Sequence, residues 1–191
     1  MSLLDQDELT ELKELARTNT YHVHGDPKSA DCILAFSFGY IKQNEKNLPG
    51  KSNQQIATFI ELNLPNIPLI AQFEVADALK ATKPVLRITA HRIPGKYLDS
   101  GEVAAQAHEF MKLHRWDRAF IVTHPALEAR NDYICTALGM ETIAPSGLDS
   151  IEFDNNSEQE WTRDAQSWWA REQGIIDLCY QNDWLKKPRL S

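Results

Sequence analysis

Residues 116–147 read WDRAFIVTHPALEARNDYICTALGMETIAPSG, and the order of apolar and polar positions in them decides the fold. The run 118–122 is short and apolar, as suits a strand buried on both faces. The turn Thr123-His124-Pro125 breaks it abruptly. Pro125 fits the first turn of a helix, 126–138 is amphipathic, and Gly139 fits the residue just past a helix end. A second strand follows over 141–144. Strand, helix, strand is a βαβ unit, which calls for a parallel sheet and a right-handed crossover.

The same alternation extends outward from this stretch. Residues 31–38 (DCILAFSF), 67–71 and 85–89 are further strand-like runs. A helix over 5–17 is marked by Leu9, Leu12 and Leu15 or Ala16 at helical spacing. After a polar loop at 39–51 comes a helix with Ile56, Phe59 and Ile60 on one face, and 74–81 reads as a short helix. Asp99 and Glu102 resemble a capping box opening a helix that carries Val103, Ala107, Phe110, Met111 and His114. A long last helix spans 158 to about 181, with Trp161, Trp168 and Trp169 as core packing rather than base-stacking groups. The expectation is an α/β fold: a Rossmann-like three-layer sandwich with a mostly parallel sheet of about five strands and helices on both faces. Residues 1–191 form one domain, with 1–29 as N-terminal helix and lead-in and 157–185 as the helix packing on the sheet. The loose segment 146–156 covers the sheet's edge or the site.

Hydrophobic residues make up 42% of the chain and charges of both signs are mixed through it, as in a globular protein. A net charge of −7 argues against an electrostatically driven nucleic-acid binder. No apolar run approaches the roughly 20 residues of a membrane span, and the start, MSLLDQDELTELKEL, is acidic and amphipathic rather than signal-like. Cys32, Cys135 and Cys179 are dispersed and odd in number, which points to buried thiols in a reducing compartment and a cytoplasmic address. No feature fixes an oligomeric state.

In an open α/β sheet, ligands bind where the strands end at their carboxyl sides. Those positions are Ser37, Gly39 and Tyr40 after the first strand, Gln72 after the second, Thr89, His91 and Arg92 after the third, and Thr123 and His124 after the fourth. Ser100 can offer a hydroxyl to the same crevice, and Glu102 either joins it or closes the capping box. Thr123 and the following helix N-terminus are placed to hold an anion. Arg130, further along that helix, can neutralise it as a planar fork, or else pair with Glu128 or Asp132 at the surface. His91 and His124 are the acid–base candidates, since imidazole titrates near neutrality.

Other motifs are weaker. Gly50-Lys51-Ser52 resembles the end of a P-loop, but Glu45 stands where the first glycine belongs and the fourth strand ends in Thr123 rather than a metal-holding aspartate. No G-x-G-x-x-G follows the first strand and no G-x-S-x-G occurs. His22-x-His24-x-Asp26 has a spacing some metal sites use, without further matching ligands; ordinary loop residues are the better reading, so no metal site is assigned. The residues therefore point to a small-molecule enzyme, or enzyme-like protein, with an anionic ligand. A non-catalytic ligand-sensing module is the alternative, and a metal-dependent phosphoesterase the third.

Four motifs in order resemble the YdcF/SanA/ElyC-like family, catalogued as domain of unknown function 218. They are ADCILAFSFGY, an apolar strand entering a Gly-containing loop; DSGEVA, through Ser100, Glu102 and Ala104; IVTHPALEAR, through Val122, Thr123 and Arg130; and the closing REQGIIDLCYQNDWL. Val103 stands where the family has Asn, and Leu127 where it has His. The resemblance implies a Rossmann-like fold and a strand-end pocket for a small anionic or nucleotide-like ligand, with S-adenosylmethionine binding suggested for some members. Envelope-related roles belong to members with membrane segments.

Overall fold

The computed structural model describes residues 4–181. Its five-stranded sheet is built from β1 (Cys32–Ala35), β4 (Leu69–Gln72), β5 (Leu86–Ile88), β6 (Arg118–Val122) and β7 (Glu141–Ile143). Every pairing in it is parallel, in the order β5-β4-β1-β6-β7. The chain winds outward from β1 to β5, returns across the sheet to β6 and ends at β7. The direction reverses between β1 and β6. This is a Rossmann-like three-layer sandwich.

Strand alternation supplies two cores. Cys32, Leu34 and Phe36 pack with the helices α1 (Gln6–Thr18), α4 (Ser100–His114) and α5 (Pro125–Leu138) on one face. Ile33 and Ala35 face the other side, against Ile56, Phe59 and Ile60 of α2 (Gly50–Asn63) and Val75 of α3 (Phe73–Ala78). The last helix, α6 (Ala165–Gln181), contributes Ile176 to the first core and Trp168 to the second, so it straddles the end of the sheet. Gly139 closes α5 in the left-handed conformation at φ 103°, where an L side chain would be strained. Among the described residues no helix is long and apolar enough to cross a membrane.

Several boundaries differ from the sequence reading, each for a local reason. The loop 39–51 contains a small antiparallel hairpin, β2 (Ile41–Gln43) and β3 (Lys46–Leu48). Asn44 and Glu45 turn it at φ 49° and 61°, and a glutamate in place of the glycine such turns favour hid the signal. α3 ends at Ala78 instead of reaching 81, because Glu61 Oε1 accepts the amides of Lys80, Ala81 and Thr82. α6 begins at Ala165 rather than 158: the Asp164 carboxylate accepts from the Ser167 amide at 2.8 Å and caps it, after a single 3₁₀ turn at Glu160–Thr162. The sequence reading of a terminal segment to 185, and the closing residues 182–185 of the family-like motif, lie outside the described residues.

Candidate functional site

A cavity of about 780 Å³ lies over the carboxyl ends of β1, β4 and β5. Ser37, Gly39 and Tyr40 bound it from β1, Gln72 from β4, and Thr89 and His91 from β5; Ser100 opens α4 beside it and Arg130 reaches it from α5. Eight of the twelve candidate residues therefore share one concavity. The other four, Arg92, Glu102, Thr123 and His124, do not line it.

The floor is held by backbone contacts. Gln72 Oε1 accepts the Ser37 amide at 3.1 Å, tying the ends of β1 and β4 together. Gly39 sits at φ 68°, and a Cβ there would come within 2.5 Å of Thr162 Oγ1 and 2.6 Å of Ser157 Oγ. A glycine lets the segment around 157–162 close against the floor. Across the mouth, Gln159 Nε2 donates to the Tyr97 hydroxyl at 3.0 Å, joining that segment to the loop before α4.

The turn between β6 and α5 is plugged instead of open. His124 is fully buried, with its ring stacked on Phe38 at 4.0 Å between centroids and against Phe153 at 4.3 Å. Its Nδ1 accepts the Ala126 amide at 3.2 Å, and its carbonyl takes the Leu127 amide, so the first free donors of α5 are satisfied locally. Burial pulls its pKa down to about 3, which keeps the imidazole neutral. Thr123 beside it is also fully buried, and its hydroxyl has no partner among the described residues.

At β5, His91 Nδ1 accepts the Ile93 amide at 2.9 Å, and Nε2 lies 3.9 Å from Glu102 Oε2. Glu102 does not complete the capping box. Asp99 accepts the Glu102 amide at 2.9 Å, but the Glu102 carboxylate turns to Arg92 and Gln106. The Arg92 guanidinium holds it down to about 2. Arg92 also reaches Glu109 on the outer side of the helix. Arg130 is buried and forks onto Glu172 of α6 through Nε and Nη2, rather than onto Glu128 or Asp132.

Two lining residues, Glu74 and Arg171, carry chemistry that the sequence reading did not single out. Glu74 is 7% exposed, and its Oε2 has no partner among the described residues. Burial raises its carboxyl to about 7, against partial opposition from Ser37 and Arg87. It lies two residues past Gln72, the last residue of β4, so extending the strand-end reading by two positions would have found it. Arg171 lies 4.2 Å over the Trp161 ring and makes no ion pair among the described residues; burial pulls its pKa below the ordinary value. Its spacing from Trp168 and Ile175 puts a cation on the apolar face of α6, and that is the legible signal.

The spacing His22-x-His24-x-Asp26 forms no ligand set. His22 faces Glu11, His24 sits 3.3 Å from both Asp132 and Thr142, and Asp26 caps the turn at Lys28. No group of three or more His, Cys, Asp or Glu side chains among the described residues is placed to hold a metal ion. Comparison with protein-family models, with curated proteins and with solved structures finds no match for this chain.

Proposed function

We propose that this chain binds a small anionic ligand in the cavity over β1, β4 and β5 and acts on it as an enzyme. Arg171 is the observation that carries the reading: a guanidinium partly withdrawn from water, seated on Trp161 in the cavity wall and lacking an ion-pair partner among the described residues. A desolvated cation of this kind is stabilised by an incoming carboxylate or phosphate. Arg130 is already neutralised by Glu172, so its part is to hold the roof. The family-like motifs support the same strand-end pocket, with nucleotides and S-adenosylmethionine as ligands to test. The buried thiols of Cys32 and Cys135 support a reducing, cytoplasmic setting.

A thermal-shift panel of inorganic phosphate, ribose 5-phosphate, AMP and S-adenosylmethionine tests this. Anionic members should raise the melting temperature of the wild type and not of Arg171→Gln. Equal shifts in both proteins would sink the assignment. The engagement of His91 Nδ1 and the burial of His124 favour, as a second reading, a ligand-sensing module without turnover. Conversion of a bound ligand by the purified protein excludes it.

A further inference from the structure

Three features of the cavity remain without a role once the anion is placed at Arg171. The first is the Glu74 carboxyl, buried, with Oε2 unpartnered among the described residues. The second is Gln72, whose Oε1 is occupied by the Ser37 amide, so that its NH₂ is the end left to meet a ligand. The third is the aromatic lining: Phe73 from the floor, Trp161 from the roof, and Tyr97, 61% exposed, from the mouth. At about 780 Å³ the space is also larger than a phosphate or a simple hydroxy acid fills.

A carboxamide donor at the end of β4 and a carboxyl in the first turn of α3, two residues on, line the same cavity and match one common chemical pattern. The Watson–Crick edge of guanine presents an acceptor, O6, next to two donors, N1–H and N2–H₂. An amide NH₂ meets the first and a carboxylate meets the other two. The edge of adenine presents an acceptor, N1, beside the N6 donor, which a protonated Glu74 carboxyl meets by donating and accepting at once, the Gln72 NH₂ then making no bond to the base. Aromatic walls hold either ring by stacking.

We propose that Gln72 and Glu74 read the hydrogen-bonding edge of a purine, and that the ligand is a purine nucleoside phosphate with its phosphate at Arg171. The proposal rests on the anion reading above and adds the identity of the group the anion carries. It makes base choice depend on the protonation of Glu74, because the ionised form fits guanine and the protonated form fits adenine. Burial places that change at about pH 7. The charged or titratable groups bearing on it are Asp77 on its own helix, Arg87 on β5 and Tyr97 in the loop before α4. His91, Lys96, Asp99 and Arg171 line the same cavity.

Titration calorimetry on the full chain with AMP, GMP and ribose 5-phosphate at pH 6 and pH 8 tests this. The ratio of GMP to AMP affinity is the readout, since the ionisation of the phosphate is common to both and cancels. For a carboxyl centred near 7, that ratio should rise by about tenfold or more from pH 6 to pH 8. In Glu74→Gln, AMP should still bind and the ratio should be flat, because an amide donates and accepts at either pH. A flat ratio in the wild type, an equal rise in Glu74→Gln, or no nucleotide binding overturns the proposal. Arg171-dependent binding of ribose 5-phosphate without nucleotide binding would remove the purine and leave the anion reading standing.

Discussion

Arg130 of α5 donates two hydrogen bonds to Glu172 of α6, residues 42 positions apart, and both side chains are buried. This pair ties the helix that roofs the cavity to the helix that follows β6. Glu172 stands between Trp168 and Ile176 on the buried stripe of α6, where an unpaired carboxylate would be strongly unfavourable.

Removing one partner strands the other. Glu172→Gln or Arg130→Met should each cost about 3–5 kcal/mol, whereas the double variant Arg130→Met/Glu172→Leu should recover most of the loss. Urea unfolding of the three variants checks this; additive losses in the double variant would count against a coupled pair.

His124 should make the fold acid-sensitive. Its folded pKa of about 3 lies below the usual histidine value of 6.5, so the unfolded chain takes up the proton first. The stability it allows is complete above pH 6.5 and is lost as pH falls toward 3, amounting to about 2 kcal/mol by pH 5. His124→Asn keeps a side chain able to cap α5 and should flatten the stability profile between pH 6.5 and 5. A slope in that variant as steep as in the wild type would assign the acid sensitivity elsewhere.

Glu74 acts in the opposite direction. Its folded value of about 7 lies above the ordinary 4.5, so its contribution is complete below pH 4.5 and is lost as pH rises through 7. By pH 8 the ionised carboxylate costs on the order of 3 kcal/mol. Glu74→Gln should therefore be more stable than the wild type at pH 8 and little different at pH 4.5. Chemical denaturation at the two pH values decides it; an equal effect at both would place Glu74 in a less buried setting.

Gly39 sets how closely the roof meets the floor. Gly39→Ala combines a left-handed backbone position with contacts of 2.5 and 2.6 Å to Thr162 and Ser157, and should destabilise by at least 1 kcal/mol. Pairing it with Thr162→Ala and Ser157→Ala should relieve the contact but not the backbone strain. Full recovery in the triple variant would show that contact alone was at fault.

The sheet was legible because its three central strands, β1, β4 and β6, are buried on both faces and their apolar runs are bounded by clear turn residues. Strand ends then located most of the cavity floor, from Ser37 to His91. The roof was harder to read. In the sequence only the position of Glu172 between Trp168 and Ile176, at helical spacing, marks it as buried. Thr123 and His124 stand at the strand end that borders the switch between β1 and β6, yet two aromatic rings occupy the space a ligand would need there. Phe38 and Phe153 are far apart in sequence, and no local pattern announces that they meet around His124.

The division of the cavity between an early floor and a late roof bears on how the protein is made. Its floor comes from residues up to 91, but Trp161, Arg171 and the ion-pair partner of Arg130 are among the last described residues to leave the ribosome. The inner face of α1, carrying Leu9, Leu12 and Ala16, packs against α5 and α6 and must likewise wait for them. A nascent chain therefore has most of its sheet before it has a pocket, and a ligand can select the finished fold without guiding its early assembly.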